Sequence, residues 1–220
     1  MIELRFGGER VCLLPQRVAW LPMHDLLLVA DAHLGKAVSF RRLGVPVPEA
    51  TTHGTLARLQ AALQATGATR VAFLGDLLHS ARVRDSATLD TVRAFRERHA
   101  TTRWLLVRGN HDAQAGDPPA DWRVEASDEP LQLGDLHLQH HPEPADPAAF
   151  VVAGHVHPGV VLGGPAHDRL RLPSFRVRAR LLLLPAFGEF TGLYVLPRAP
   201  GERVFAVTGQ RVAEVPAPAV

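Results

Sequence analysis

The sequence predicts an α/β fold in which two mixed β-sheets pack face to face and helices flank them, a four-layer αββα sandwich formed by residues 1–220 as a single domain. Three observations lead there. Apolar runs alternate with amphipathic stretches through the first half, short strands with tight turns fill the second half, and polar His- and Asp-rich motifs end several of the runs. At 220 residues and 46% hydrophobic content, the chain can bury one good core.

Taken in order, the N-terminal stretch MIELRFGGER places Glu3 and Arg5 where a secretory signal would be apolar. No apolar run nears the ~18 residues that cross a bilayer, so a cytoplasmic protein without a membrane partner is expected. The lone cysteine, Cys12, cannot form an internal disulfide and suits a buried apolar role in a reduced compartment. Leu26 to Ala30 reads as a buried strand that ends in Asp31, Val71 to Leu74 as one that ends in Gly75-Asp76, and Trp104 to Val107 as one that ends in Arg108-Gly109-Asn110-His111-Asp112. Between them, helical spacing of Leu56, Leu59 and Leu63 predicts a helix over about Pro48 to Thr66. Val92 and Phe95 predict another over about Asp85 to His99. Strand, helix, strand, helix, strand implies a parallel sheet with right-handed crossovers, whose ligands gather at the carboxyl ends of the strands. Later strands are expected at Leu131 to Leu133, Leu136 to Gln139, Phe150 to Ala153, Leu181 to Leu184, Phe190 to Leu196 and Val204 to Val207. Gly163-Gly164 and Pro200-Gly201 read as turns.

Five short motifs carry the chemistry: Asp31-x-His33, Gly75-Asp76, Gly109-Asn110-His111-Asp112, His140-His141 and Gly154-His155-x-His157. If Asp31 and His33 continue their strand they point to one side, and His155 and His157 repeat the device. Carboxylate, imidazole and amide ligands together suit Mn, Fe, Zn or Co and argue against a thiolate site. Two divalent ions bring more positive charge than Asp31 and Asp76 cancel, which favours phosphate oxygens and lowers the pKa of water. Taken alone, any one motif would more often be structural; five in order make a two-metal phosphoesterase the leading reading.

The motifs in this order resemble the calcineurin-like metallophosphoesterase superfamily. That resemblance implies two divalent ions, with manganese the leading candidate. It assigns Asp31, His33, Asp76 and His157 to one ion and Asp76, Asn110, His140 and His155 to the other. His140 is preferred to His141 because the family places its histidine two positions before a proline, here Pro142. It makes His111 the general acid, with Asp112 orienting it. A narrower likeness, through Asp31-Ala-His-Leu-Gly-Lys36, the segment from Phe40 to Pro48, Gly75-Asp-Leu-Leu-His79 and Leu184 to Gly192, is to bacterial ligase-associated DNA damage response endonucleases. Ala32 and Ser174 depart from that pattern without touching a ligand. The likeness implies single-stranded or damaged DNA as substrate and a functional association with an ATP-dependent DNA ligase, a helicase and an exonuclease.

Lys36 is the only lysine among 24 basic residues, which suggests an ammonium placed for phosphate; a surface lysine at a helix start is the plainer alternative. Arg108, beside the third motif, is a second candidate substrate contact. His79 could support Asp76 or be an ordinary loop histidine. Arg176, Arg178 and Arg180 would share one strand face, where they could follow a nucleic-acid backbone or simply be solvated. The net charge of +2 allows an anionic partner without requiring one. Hydrolysis of a small or cyclic nucleotide is the competing enzyme reading, since the metal centre recognises phosphoryl groups and loops choose among them. A non-catalytic scaffold of the same fold would be expected to have lost ligands, and none is missing.

Overall fold

A computed structural model describes residues 1–47, 51–80, 87–163 and 169–217. The first sheet begins as an antiparallel run of β1 (Ile2–Phe6), β2 (Glu9–Leu14), β3 (Val18–Leu21) and β4 (Leu26–Ala30). It continues in parallel through β5 (Arg70–Leu74), β6 (Arg103–Val107) and β7 (Val124–Ser127). Four helices accompany the described part of this half: α1 (Lys36–Arg42), α2 (Thr51–Thr66), α3 (Ala87–Arg98) and α4 (Asn110–Ala115). The expected helix starts at Pro48 and Asp85 fall outside the described residues.

The second sheet contains β8 (Leu131–Leu133), β9 (Leu136–Gln139), β10 (Phe150–Ala153), β11 (Pro158–Gly163), β12 (Arg169–Val177), β13 (Leu181–Leu183), β14 (Tyr194–Val195), β15 (Arg203–Val207) and β16 (Val212–Val215). Its order is β14-β11-β12-β13-β10-β9-β8, with β15 pairing to β12 and β16 to β15. β9, β10 and β13 run parallel, so their carboxyl ends lie together.

Alternation along the strands divides the core into layers. Leu28, Ala72 and Leu74 of the first sheet meet Leu138, Val152, Phe175 and Phe205 of the second in one buried cluster. The opposite face of the first sheet, with Leu27, Val29, Phe73 and Trp104, is covered by Leu56, Leu59 and Leu63 of α2 and Val92 and Phe95 of α3. β4 is therefore buried along its whole length, as a strand covered on both faces must be. The far side of the second sheet carries only a small cluster of Val151, Ala153, Leu183 and Ala149, to which none of α1 to α4 contributes. The helical layers are thus unequal.

Two expectations need correction. The strand expected over Phe190 to Leu196 is reduced to Tyr194–Val195, the two residues that pair with β11. β12 ends at Val177, so Arg178 and Arg180 do not continue its face. Arg176 is buried, donates to the carbonyls of Leu196 and Pro197, and lies 3.6 Å from Glu202, which also takes Arg178 at 2.8 Å. These arginines hold the sheet to the chain behind it and form no free basic track.

Candidate metal centre

The carboxyl ends of β4, β5, β6, β9 and β10 converge on one edge of the sandwich, and each delivers a motif there. The convergence does not arise as the sequence suggested. The strands stop at Ala30 and Ala153, and Asp31, His33, His155 and His157 then adopt left-handed conformations with φ of 54°, 44°, 67° and 51°. Asp76 does the same at 52°. Five of the eight non-glycine residues with positive φ among those described are thus motif residues, a concentration of backbone strain that marks functional sites. The strain persists because the backbone is tied down. The N–H of His33 donates to the carbonyl of Asp76 at 2.8 Å, and that of His155 donates to the Asp31 carboxylate at 2.9 Å.

Gly75 shows how tightly the side chains are admitted. Its φ is +75°, and a Cβ built there would lie 2.2 Å from Nδ1 of His140. Gly75→Ala is expected to displace that imidazole and to lower Tm by roughly 3–8 °C, from left-handed strain of about 1–2 kcal/mol with the clash added. Differential scanning calorimetry checks this, and an unchanged Tm would show that the close approach is not required.

Two groups of nitrogen and oxygen ligands result. Nε2 of His33 lies 3.2 Å from Nε2 of His157, which is 3.5 Å from Oδ1 of Asp31. On the other side, Nε2 of His140 lies 2.9 Å from Oδ1 of Asn110 and 2.9 Å from Nδ1 of His155. Asp76 stands between them, with Oδ2 3.8 Å from Nε2 of His33 and Oδ1 3.6 Å from Nε2 of His140. Facing ring nitrogens fit a cation well, because two ligands each ~2.1 Å from one ion stand about 3.0–3.4 Å apart. The residues present therefore suit metal ions: among the described residues Asp31, His33 and His157, Asp31, Asp76 and His140, His140, His141 and His155, and His33, His79 and His111 each cluster closely enough to hold one.

Protonation supports the same use. Burial, reinforced by Lys36 and the neighbouring imidazoles, holds His33 far below the ordinary imidazole range, so it is neutral. Burial beside His140 and His141 also lowers His155. The Leu74 carbonyl, 3.1 Å from Nδ1 of His140, can only accept, which leaves Nε2 of that ring free to ligate. His141 stands at the rim of this group: a ring nitrogen lies within 4.8 Å of those of His140 and His155, while its side chain is 38% exposed and its Nδ1 lies 2.6 Å from Glu129. Glu129 also accepts the backbone N–H of His140 at 2.7 Å and of His141 at 3.2 Å, so it fixes this turn. Nothing in the sequence singled out Glu129, which lies outside every motif.

The residues around the ligands differ in part from expectation. His111 sits beside the centre, Nε2 3.9 Å from Oδ2 of Asp76, but its Nδ1 bonds the carbonyl of His79 at 3.1 Å and not Asp112. Asp112 is buried and accepts the N–H groups of Leu77, Leu78 and Gly109 at 3.0, 3.2 and 3.0 Å. Burial raises its pKa, while the amides oppose that rise. Asp112 thereby ties the second motif to the third, with three backbone donors on its oxygens and none from His111 among the described contacts. His79 stacks on His111 with ring centroids 5.0 Å apart, and burial next to Lys36 and His111 lowers it to about 4. Lys36 opens α1, half-buried, and has no carboxylate within ion-pair distance among the described residues. Burial lowers its pKa, against the pull of Asp31 and Asp76. Arg108, expected as a phosphate contact, has its guanidinium on Asp117 at 2.8 and 2.9 Å and on Asp128 at 3.0 Å. His167 lies outside the described residues, and His24, His53, His99 and His137 take no part in the ligand groups.

A family model described as calcineurin-like phosphoesterase matches residues 25–144. The crystal structure of Pseudomonas putida nuclease MPE matches with a TM-score of 0.85 and 40% identity, covering 97% of this chain and 99% of that one. YfcE, a phosphoesterase from E. coli, matches at 17% identity and a TM-score of 0.43, over 86% of this chain and 97% of its own. AQ665 from Aquifex aeolicus, a protein of unknown function, matches at 18% identity and a TM-score of 0.40, over 60% of this chain and 78% of its own. No curated protein matches the chain. Among the described residues, no helix is long and apolar enough to cross a membrane.

Proposed function

We propose that this chain, which belongs to the calcineurin-like phosphoesterase family, hydrolyses phosphodiester bonds of DNA at a two-metal centre. The observation that carries the two-metal reading is the posture of Asp76, whose two oxygens face separate histidine groups at 3.8 and 3.6 Å. Asp31, His33, Asp76 and His157 would hold one ion, and Asp76, Asn110, His140 and His155 the other. Such a pair, when bound, supplies Lewis acidity for the phosphoryl oxygens and makes water nucleophilic near neutral pH. DNA is favoured by the 40% identity, across nearly the whole chain, to a protein named as a nuclease.

The chain's own residues supply the remaining steps. Because the His79 carbonyl can only accept, it keeps a proton on Nδ1 of His111 and directs Nε2 toward the centre. Nε2 of the imidazolium then protonates the departing oxygen. Lys36 contributes an ammonium beside the substrate phosphates. A place in bacterial DNA repair, alongside a DNA ligase, helicase and exonuclease, rests on the sequence likeness alone.

Stripping the purified protein with chelator is expected to abolish turnover, and Mn is expected to restore it better than Mg, because imidazole-rich sites hold borderline ions more firmly than hard magnesium. Assays on an oligonucleotide, a cyclic nucleotide and a phosphomonoester then read the substrate class. Undiminished activity after exhaustive chelation would sink the metal reading, and turnover confined to the cyclic nucleotide or the monoester would sink the DNA one.

A further inference from the structure

We propose that Phe190 and Phe40 form a base-stacking subsite for a nucleotide flanking the bond to be cleaved, an inference that rests on the nucleic-acid reading above. The rings make a continuous row. Phe190 is 38% exposed and meets Phe40 edge to face at 5.4 Å, Phe40 lies 6.2 Å from His79, and His79 stacks on His111 at 5.0 Å. The row therefore runs from the proposed acid to open surface. Among the described residues, neither phenylalanine belongs to the hydrophobic clusters of the core.

The platform is also fixed relative to the metal centre. The N–H groups of Phe187 and Gly188 donate to the carbonyls of Ala30 and Asp31 at 2.9 and 3.1 Å, tying this loop to the strand that delivers the first ligand. Thr191 Oγ1 donates to the Gly188 carbonyl at 2.9 Å, and the N–H of Glu189 donates to Oγ1 of Thr55 at 3.3 Å. Arg58 pairs with Glu189 at 3.3 Å and donates to the Phe187 carbonyl. Gly188 has no room for a side chain, since a Cβ would lie 2.6 Å from the Ala32 carbonyl oxygen.

The occupant follows from what surrounds the ring. A narrow cleft with room for little more than a water is lined by His33 of the centre, by Lys36, by Glu189 and by Phe190, which places the ammonium and the ring on one surface beside the phosphate being attacked. An ammonium and a partly exposed aromatic ring on one surface is the pairing that takes a nucleotide, phosphate on the cation and base on the ring. A base inside a duplex has no free face, so the occupant is an unpaired nucleotide.

The test uses the full-length, Mn-loaded protein with a short single-stranded oligonucleotide, and with the same strand carrying abasic residues next to the cleaved bond. Phe190→Ala is expected to raise KM for the ordinary strand by about 5- to 100-fold, the usual loss for one stacked base. Phe190→Tyr should restore it, and the abasic strand should show the same KM in wild type and Phe190→Ala. Unchanged KM on the ordinary strand, or an equal rise on both strands, overturns the subsite while leaving the nuclease reading intact. A wild-type protein that hydrolyses bis-p-nitrophenyl phosphate but neither strand overturns the nuclease reading, and the subsite with it.

Discussion

Asp76→Asn is expected to remove almost all activity and, if the proposed two-metal centre is right, to leave the protein binding one metal ion per chain in place of two. Each oxygen of this carboxylate faces a different histidine group, so it is the residue positioned to serve both ions. An amide keeps only one acceptor oxygen and replaces the other with a donor that cannot ligate. Losing one of the two ions forfeits several kcal/mol of charge stabilisation in the transition state, on the order of 10³ or more in rate. The fold should survive, because the remaining oxygen can still accept the N–H of His111, now 3.0 Å from Oδ1. Metal analysis after gel filtration, with calorimetry for the fold, checks the prediction. A variant that holds two ions as tightly as the wild type would show that the bridge lies elsewhere.

How much of this was legible in the sequence depends on how local each cause is. β4, β8, β9 and β10 have the bounds expected from their apolar runs and turns, because burial and turn chemistry act over a few residues. The motif residues also arrive on one edge as expected, since parallel strands must end together. The way Asp31 and His33 converge was not legible: left-handed backbone at both positions depends on hydrogen bonds to Asp76 and His155, which are remote in sequence. β1 is legible too, for Ile2, Leu4 and Phe6 alternate with polar residues in the period of a half-buried strand. Glu129 could not be found from spacing, as its task is to accept N–H groups of a turn that begins eleven residues away. Asp112 shows the opposite hazard. A carboxylate next to a histidine in sequence suggests an acid–base pair, yet the first turn of α4 sends it inward to the backbone amides of Leu77 and Leu78.

That correction changes the grounds for the role of His111 without removing the role. Nδ1 is committed to a carbonyl, Nε2 faces the centre, and the ring stays partly open at 34% side-chain exposure, so a substrate oxygen can reach it. His111→Ala should therefore keep both metal ions while losing on the order of 10² to 10⁴ in rate on an oligonucleotide, whose departing alkoxide needs a proton. On a p-nitrophenyl phosphodiester the loss should be much smaller, because nitrophenolate leaves as a stable anion without one. Asp112→Asn separates the two accounts of what orients the ring. If Asp112 acted on His111, its substitution would reproduce the same dependence on leaving group; as a tie between Leu77, Leu78 and Gly109 it should instead slow both substrates alike. Equal losses for His111→Ala on the two substrates, or loss of a metal ion from that variant, would show that His111 is a ligand or a structural residue and not the acid.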